Sequence, residues 1–238
     1  MWKGAAITGL AAIACGSAMV LGLGQETVSA QAAQSASAPL VSIGGEDAKG
    51  PYAPRDECAS SLPGFPAFRF AVMAAIDARD SDALLALSHP GIELDYGGAA
   101  GLDEFARRLS ADDTLWQELA ALKSLGCASG SRNQAVMPWI FAHGVSGSDP
   151  VLAMMVNGND IAIRTRPDET APAARRSGFD IVELTGTEGP SNGFYEIALD
   201  DGATGYVAAG DLRALTGYRM MMKRGAAGWM IESVIAGD

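Results

Sequence analysis

The chain has 238 residues, 48% hydrophobic and 19% charged, and 28 acidic against 17 basic side chains leave a formal net charge of -11. That length holds one domain or two small ones, with ample apolar material for a core, which excludes an intrinsically disordered chain. Lys and Arg are scattered rather than clustered. The sequence therefore lacks the basic footprint that nucleic acid or an anionic membrane surface requires, and the expected partners are neutral, cationic or peptide-like.

The first predicted element is an export signal. Lys3 supplies a short positive start, no charged residue occurs from Gly4 to Gln25, and Val28-Ser29-Ala30 offers small residues before a cut at Gln31, with Ala32 as a second candidate. This pattern predicts a signal peptide over residues 1–30 and an exported, periplasmic protein of the cell envelope with no transmembrane segment in its mature form. The alternative is a membrane anchor left uncleaved, which needs about 20 apolar residues; Gly4, Gly9, Gly16, Gly22 and Gly24 weigh against it. A lipoprotein cut before Cys15 would want Leu where Ala12 stands.

Removing the signal removes Cys15 and leaves Cys58 and Cys127. In an oxidising compartment an isolated pair predicts a disulfide, worth on the order of 4 kcal/mol for a loop this long. A nucleophilic cysteine is the competing reading. Ser124-Leu125-Gly126-Cys127 echoes the SHGC of transpeptidases that use cysteine, but Leu125 occupies the place of the His, and a thiolate needs a base.

Residues 31–64 are Ala/Ser/Gln-rich and then punctuated by Gly and Pro, which predicts a flexible linker fixed only at Cys58. Residues 65–155 form a mainly helical domain. Phe68, Phe70, Ala71, Ala74, Ala75 and Ile76 lie near helical spacing. Asp80 or Ser81 caps a second short helix through Leu87, which His89-Pro90-Gly91 ends. Ile92, Leu94 and Tyr96 alternate with Glu93 and Asp95 in a short strand stopped by Gly97-Gly98. Helices over Leu102 to Leu109 and Thr114 to Leu125 follow, the second stopped by Gly126.

From about Val156 the period changes from 3.6 to 2. Ile161 and Ile163 alternate with Ala162 and Arg164; Ile181 to Leu184 forms a second strand; Tyr195, Ile197 and Leu199 form a third; Asp201-Gly202 turns into Tyr206 and Val207. Four short strands over residues 156–215 imply a small barrel. Residues 216–238 contain a closing β-hairpin, Tyr218 to Lys223 and Trp229 to Ile235, around Arg224 to Gly228. The fold class is thus α+β: a helical segment with a short strand, a small barrel and a C-terminal hairpin.

Three ordered motifs carry a resemblance: Ile163-Arg164 with Pro167, Gly193-Phe194-Tyr195-Glu196-Ile197, and Gly205-Tyr206-Val207 with Leu212-Arg213. Together they resemble the bacterial SH3 domain, an SH3-like barrel. Phe194 stands where that family usually has Trp, which keeps the apolar body and loses the indole donor. The flanking segments, Phe68 to Leu109 and the final hairpin, are similar to ketosteroid-isomerase-like cone folds, which pack helices against a curved antiparallel sheet.

Candidate ligand contacts are Arg164, Arg166, Phe194, Tyr195 and Tyr206. Two arginines on one strand face can pair with a carboxylate, or with the local acids Asp168 and Glu169. Aromatic surfaces on SH3-like barrels recognise extended peptides, though Tyr195 and Tyr206 can equally be barrel core. His89 and His143 are the only histidines, and His89 with Asp95, six residues apart, has no companion Glu-x-x-His, so no metal or other cofactor is expected. Glu93 and Asp95 share a strand face that in a cone fold could line a cavity. No catalytic constellation stands out. The resemblance implies a non-catalytic envelope protein that binds a peptide or peptidoglycan-type ligand; the alternative is a small-molecule binder or enzyme using a cone cavity formed by the N-terminal helices and the C-terminal hairpin.

Overall fold

A computed structural model of the protein describes residues 49–111, 113–199 and 201–237. The predicted export signal and residues 31–48 of the predicted linker lie outside the described residues. Helix α1 spans Cys58–Ser61, α2 Phe65–Ala78, α3 Ser81–Ala86, α4 Leu102–Ala111 and α5 Thr114–Leu122. Pro66 in the first turn of α2 suits a position whose N–H has no helical partner. The helix buries Phe65, Arg69, Val72, Met73, Ala75 and Ile76, a stripe at helical spacing. It is rotated from the predicted one: Phe70 is exposed, because Arg69 is drawn inward by Asp56, whose carboxylate it holds through two hydrogen bonds at 2.8 and 2.7 Å. The Asp80 carboxylate caps α3 by accepting from the Ala83 N–H at 2.9 Å.

The strands and one more helix follow in chain order: β1 Ser88–Glu93, β2 Ala128–Ser131, β3 Gln134–Met137, α6 Trp139–His143, β4 Ala153–Val156, β5 Ile161–Arg164, β6 Ala173–Ser177, β7 Ile181–Leu184, β8 Phe194–Ala198, β9 Thr204–Ala208, β10 Leu212–Ala214, β11 Arg219–Gly225 and β12 Gly228–Ile235. They form two sheets. The first has the order β1-β12-β11-β3-β2, parallel between β1 and β12 and otherwise antiparallel. Its hairpin β11–β12 is the predicted C-terminal one, and it joins the helical layer. Trp229 on β12 meets the Phe65 ring edge-on at 4.9 Å, so α2 covers that face. His89-Pro90-Gly91, predicted to end a helix, lies inside β1. The β2–β3 hairpin was not legible, since Ala-Ser-Gly-Ser carries no apolar alternation and Ala135, Val136 and Met137 are all buried.

The second sheet runs β10-β4-β7-β8-β9-β5-β6, antiparallel throughout. The four strands predicted from alternation are β5, β7, β8 and β9. The closed SH3-like barrel is corrected to an open sheet: β6 and β10 stand at opposite edges of the strand order. Closure fails because three unpredicted strands extend the ladder. One of them, β6, is Ala-Ala-Arg-Arg-Ser and largely exposed, without the alternation that marks a strand. Strand β4 is buried at every position because both its faces are covered: Met154 and Val156 enter a small core with Ile163, Val182, Ile197 and Val207, whereas Met155 enters the main core. A strand covered on both sides reads as a continuous apolar run.

Cys58 and Cys127 are joined in a disulfide, with Cα atoms 5.7 Å apart and a sequence separation of 69. Both are fully buried. The bridge sits in a short backbone ladder: the Glu57 N–H donates to Cys127 O at 2.8 Å and the Cys127 N–H to Arg55 O at 2.9 Å. Gly126 is required here, with φ at +72° and a Cβ that would come within 2.3 Å of Arg55 O. Among the described residues no helix is long and apolar enough to cross a membrane. Replacing both cysteines by Ala is expected to lower the unfolding free energy by about 4 kcal/mol, read as a lower denaturant midpoint; an unchanged midpoint would show that the loop is held without the bridge.

Candidate functional site

The start of β11 places Arg219 at the end of the first sheet, in register with Ile235. Strand alternation sends Met220 and Met222 to the face that α2 covers and Arg219 to the other. There its side chain is enclosed, only 3% exposed. Its guanidinium lies 4.3 Å from the ring centre of Phe141 on α6 and 5.5 Å from that of Tyr96. Nη2 donates to the Tyr96 hydroxyl. Nη1 is buried and has no hydrogen-bond partner. Among the described residues Arg219 forms no ion pair, an arrangement that costs on the order of several kcal/mol in desolvation.

Beside Arg219 is a recess of ≈ 10 Å³ lined by Pro138, Ile140, Phe141, Met155, Arg213, Ala214, Leu215, Gly217 and Arg219, about the room of one water molecule. The second guanidinium is differently placed. Arg213 on β10 donates from Nη2 to Tyr218 O at 2.7 Å and from Nη1 to the Glu118 carboxylate at 3.3 Å. Burial pulls its pKa down while Glu118 on α5 opposes that shift. The recess therefore holds one neutralised arginine and one uncompensated arginine, among apolar walls from both sheets. Among the described residues no carboxylate, histidine or thiol lines it.

Of the residues singled out in the sequence, Phe194, Tyr195 and Tyr206 are brought together on β8 and β9. They line a groove of ≈ 600 Å³ with Pro167, Thr185 and Glu196. The Tyr206 hydroxyl donates to Glu196 Oε1 at 2.8 Å and the Thr185 hydroxyl to Oε2 at 3.0 Å. These donors hold the Glu196 carboxyl below its ordinary range, and the carboxylate raises the Tyr206 phenol. Phe194 itself is buried, 6% exposed. Arg164 and Arg166 are not among the groove's lining residues. Arg164 donates to Ala171 O in its own loop at 2.8 Å and Arg166 is exposed. Asp168 is held low, chiefly by the Thr170 backbone N–H and then by the charges of Arg166 and Arg164.

The remaining candidates fall elsewhere. Glu93 is exposed, and Asp95 accepts from the Ala99 N–H at 3.0 Å and from Arg108 at 2.5 Å, so Asp95 builds a turn and an ion pair. His89 Nδ1 accepts from the Gly91 N–H at 3.1 Å. His143 stacks on Trp139, and its Nε2 is 3.1 Å from Glu57 Oε1. Asp56, Cys58 and Cys127 come close enough together to suggest a metal, but the sulfurs are bonded to each other and the carboxylate to Arg69. Phe65, Val72, Ile76, Phe105, Met220, Met222 and Ile231, from the helices and the strands of the hairpin assigned to the predicted cone, share one buried core. Sequence reasoning passed over Arg219 and used Arg213 only as part of the Leu212-Arg213 motif, not as a site residue. The available signal was a lone cation immediately before the Met220-Met221-Met222 run.

No family model matches the chain, and no curated protein matches it. Among solved structures it is similar to a domain of unknown function with a cystatin-like fold from Nostoc punctiforme, at 12% identity over 72% of each chain with a TM-score of 0.27. It is also similar to an NTF2-like protein with a cystatin-like fold from Novosphingobium aromaticivorans, at 13% identity over 71% of this chain and 75% of that one, TM-score 0.27. The α+β architecture stands on the strand pairing described above.

Glu57 gives the site region a pH dependence. The Trp139 indole N–H, 2.8 Å from Oε1, and then His143 hold its carboxyl below the ordinary 4.5 against the opposing effect of burial. A lowered folded-state pKa contributes stability that is present above the unfolded value and lost as pH falls through the folded one. Glu57→Gln is therefore expected to flatten the loss of stability as pH falls below the ordinary carboxyl value of 4.5, read from denaturant midpoints; parallel acid limbs would remove Glu57 from the account.

Proposed function

We propose that the protein is an exported, non-catalytic binding protein that holds a small anionic molecule against Arg219. The observation that carries this reading is the buried Nη1 of Arg219, a charged donor with no partner. A guanidinium enclosed without an acid is costly to folding, and an anion supplies the missing charge and acceptor. Binding rather than turnover is favoured because the recess wall has no group able to act as nucleophile or general base. The buried disulfide supports an oxidising, periplasmic location. Titrating the full chain with chloride, acetate, benzoate and inorganic phosphate while following Tm tests the reading. At least one anion is expected to raise Tm in the wild type and to lose that effect in Arg219→Met. Without ligand, Arg219→Met is expected to be at least as stable as wild type, since the buried charge is gone; a merely structural arginine would give the reverse. No arginine-dependent shift with any of the four anions would refute the reading.

A second reading has its own observation: Phe194, Tyr195, Tyr206 and Glu196 converge on one groove of the second sheet. An aromatic floor with a fixed carboxylate suits an extended peptide carrying an amine, such as a peptidoglycan stem. Sedimentation with purified peptidoglycan should then retain the wild type and release Tyr195→Ala. Equal behaviour of the two proteins would dismiss the groove.

A further inference from the structure

The following rests on the anion-binding reading of the Arg219 recess and names the anion's class. We propose that the recess selects a monocarboxylate with an apolar or aromatic body, taken up through a single carboxylate oxygen, and rejects phosphate and other dianions.

Three features argue for this selection. The first is charge. Arg213 is paired with Glu118 at 3.3 Å, so only the Arg219 charge is uncompensated, and one negative charge balances it. A dianion would bring a second, unbalanced charge against Ile140, Met155 and Leu215, where desolvation is costly. The protein's net charge of -11 adds long-range repulsion that grows with ligand charge.

The second is size. A recess of ≈ 10 Å³ takes one oxygen-sized group, so the rest of the molecule stays outside it. The third is what waits there. Phe141 is 40% exposed although its ring lies 4.3 Å from the guanidinium, and Tyr96 is 61% exposed. The Tyr96 hydroxyl accepts from Arg219 Nη2, which leaves its own proton free to donate to the second carboxylate oxygen. An apolar body covers the Phe141 face at the moment the carboxylate neutralises Arg219. A tetrahedral dianion can place one oxygen in the recess, but it brings the second charge and has no apolar body to cover Phe141.

The test compares affinities of the full chain for acetate, benzoate, benzyl alcohol and inorganic phosphate by calorimetry. Benzoate is expected to bind at least about tenfold more tightly than acetate, a gain of the size that covering an aromatic face supplies. Phosphate and benzyl alcohol are expected not to bind. Phe141→Ala should bring benzoate down to the level of acetate and leave acetate unchanged. Tyr96→Phe keeps the ring and loses the hydroxyl, and should weaken both carboxylates alike. Phosphate binding as tightly as benzoate, or benzoate no tighter than acetate, overturns the selectivity while the anion reading stands. Absence of Arg219-dependent binding by any anion removes both.

Discussion

The structure depends most on the knot at Cys58 and Cys127. The disulfide joins the chain's entry to the strand that follows α5. The same few residues close a backbone ladder on either side of it. Asp56, next to this ladder, bridges Cys127 and takes the two hydrogen bonds of Arg69, which fixes the rotation of α2. Leu125 O, two residues before Cys127, accepts from the Trp139 N–H at 3.0 Å, and the Trp139 indole donates to Glu57. The first turn of α6 is thus tied to the knot at two points. Phe141, two residues beyond Trp139, is thereby placed over the guanidinium of Arg219. One covalent bond with a 69-residue separation therefore reaches the candidate site through short, local hydrogen bonds, each worth about 1 kcal/mol.

The second constraint is the inserted sheet. It leaves the first layer after α6 and returns at β11, which pairs with β3, the strand before α6, so its two ends are fixed close together. Met155 turns into the main core while its neighbours Met154 and Val156 turn into the smaller one. Arg213 reaches from β10 to Glu118 on α5. The ion pair is mostly enclosed on the arginine side, and its partner is 37% exposed, so it orients the sheet more than it stabilises it. Met155, Arg213, Ala214 and Leu215 come from the insertion, and Pro138, Ile140, Phe141 and Arg219 from the first layer. Neither layer alone builds the recess.

Periodicity made the regular parts of this arrangement legible. Leu115, Leu119 and Leu122 give α5, Asp80 gives the cap of α3, and the alternation in β5, β8 and β9 gives the middle of the second sheet. The pairing of Cys58 with Cys127 follows from their number in an oxidising compartment. Legibility ends where one residue serves two neighbours or none. Gln-Ala-Val-Met in β3 is covered on both sides and shows no period, and Ala-Ala-Arg-Arg-Ser in β6 pairs through its backbone with almost nothing buried. The barrel expectation failed at β6 and at the equally unannounced β4 and β10, which lengthen the second sheet's ladder instead of closing it. Arg219 was hidden by the opposite problem. Its neighbours Met220 and Met222 announce a buried strand, and a cation at such a strand's start reads as its solvent end until the register with Ile235 and the position of Phe141 show it enclosed.

The burial of that arginine is informative because the other buried arginine of the described residues, Arg69, is paired with an acid. Arg69 receives Asp56, Arg108 receives Asp95 and Glu104, Arg213 receives Glu118, and even the exposed Arg79 and Arg176 meet Asp113 and Asp160. A chain with 28 acidic side chains has carboxylates to spare, and a single substitution near Phe141 or Tyr96 could supply one. What Arg219 has instead is a phenol oxygen on one nitrogen and an aromatic face beneath it. Both stabilise a cation without neutralising it. A carboxylate from the protein would end the guanidinium's capacity to attract another. The two rings hold the side chain in place and leave its charge unspent, as a site that must take its counter-ion from solution requires.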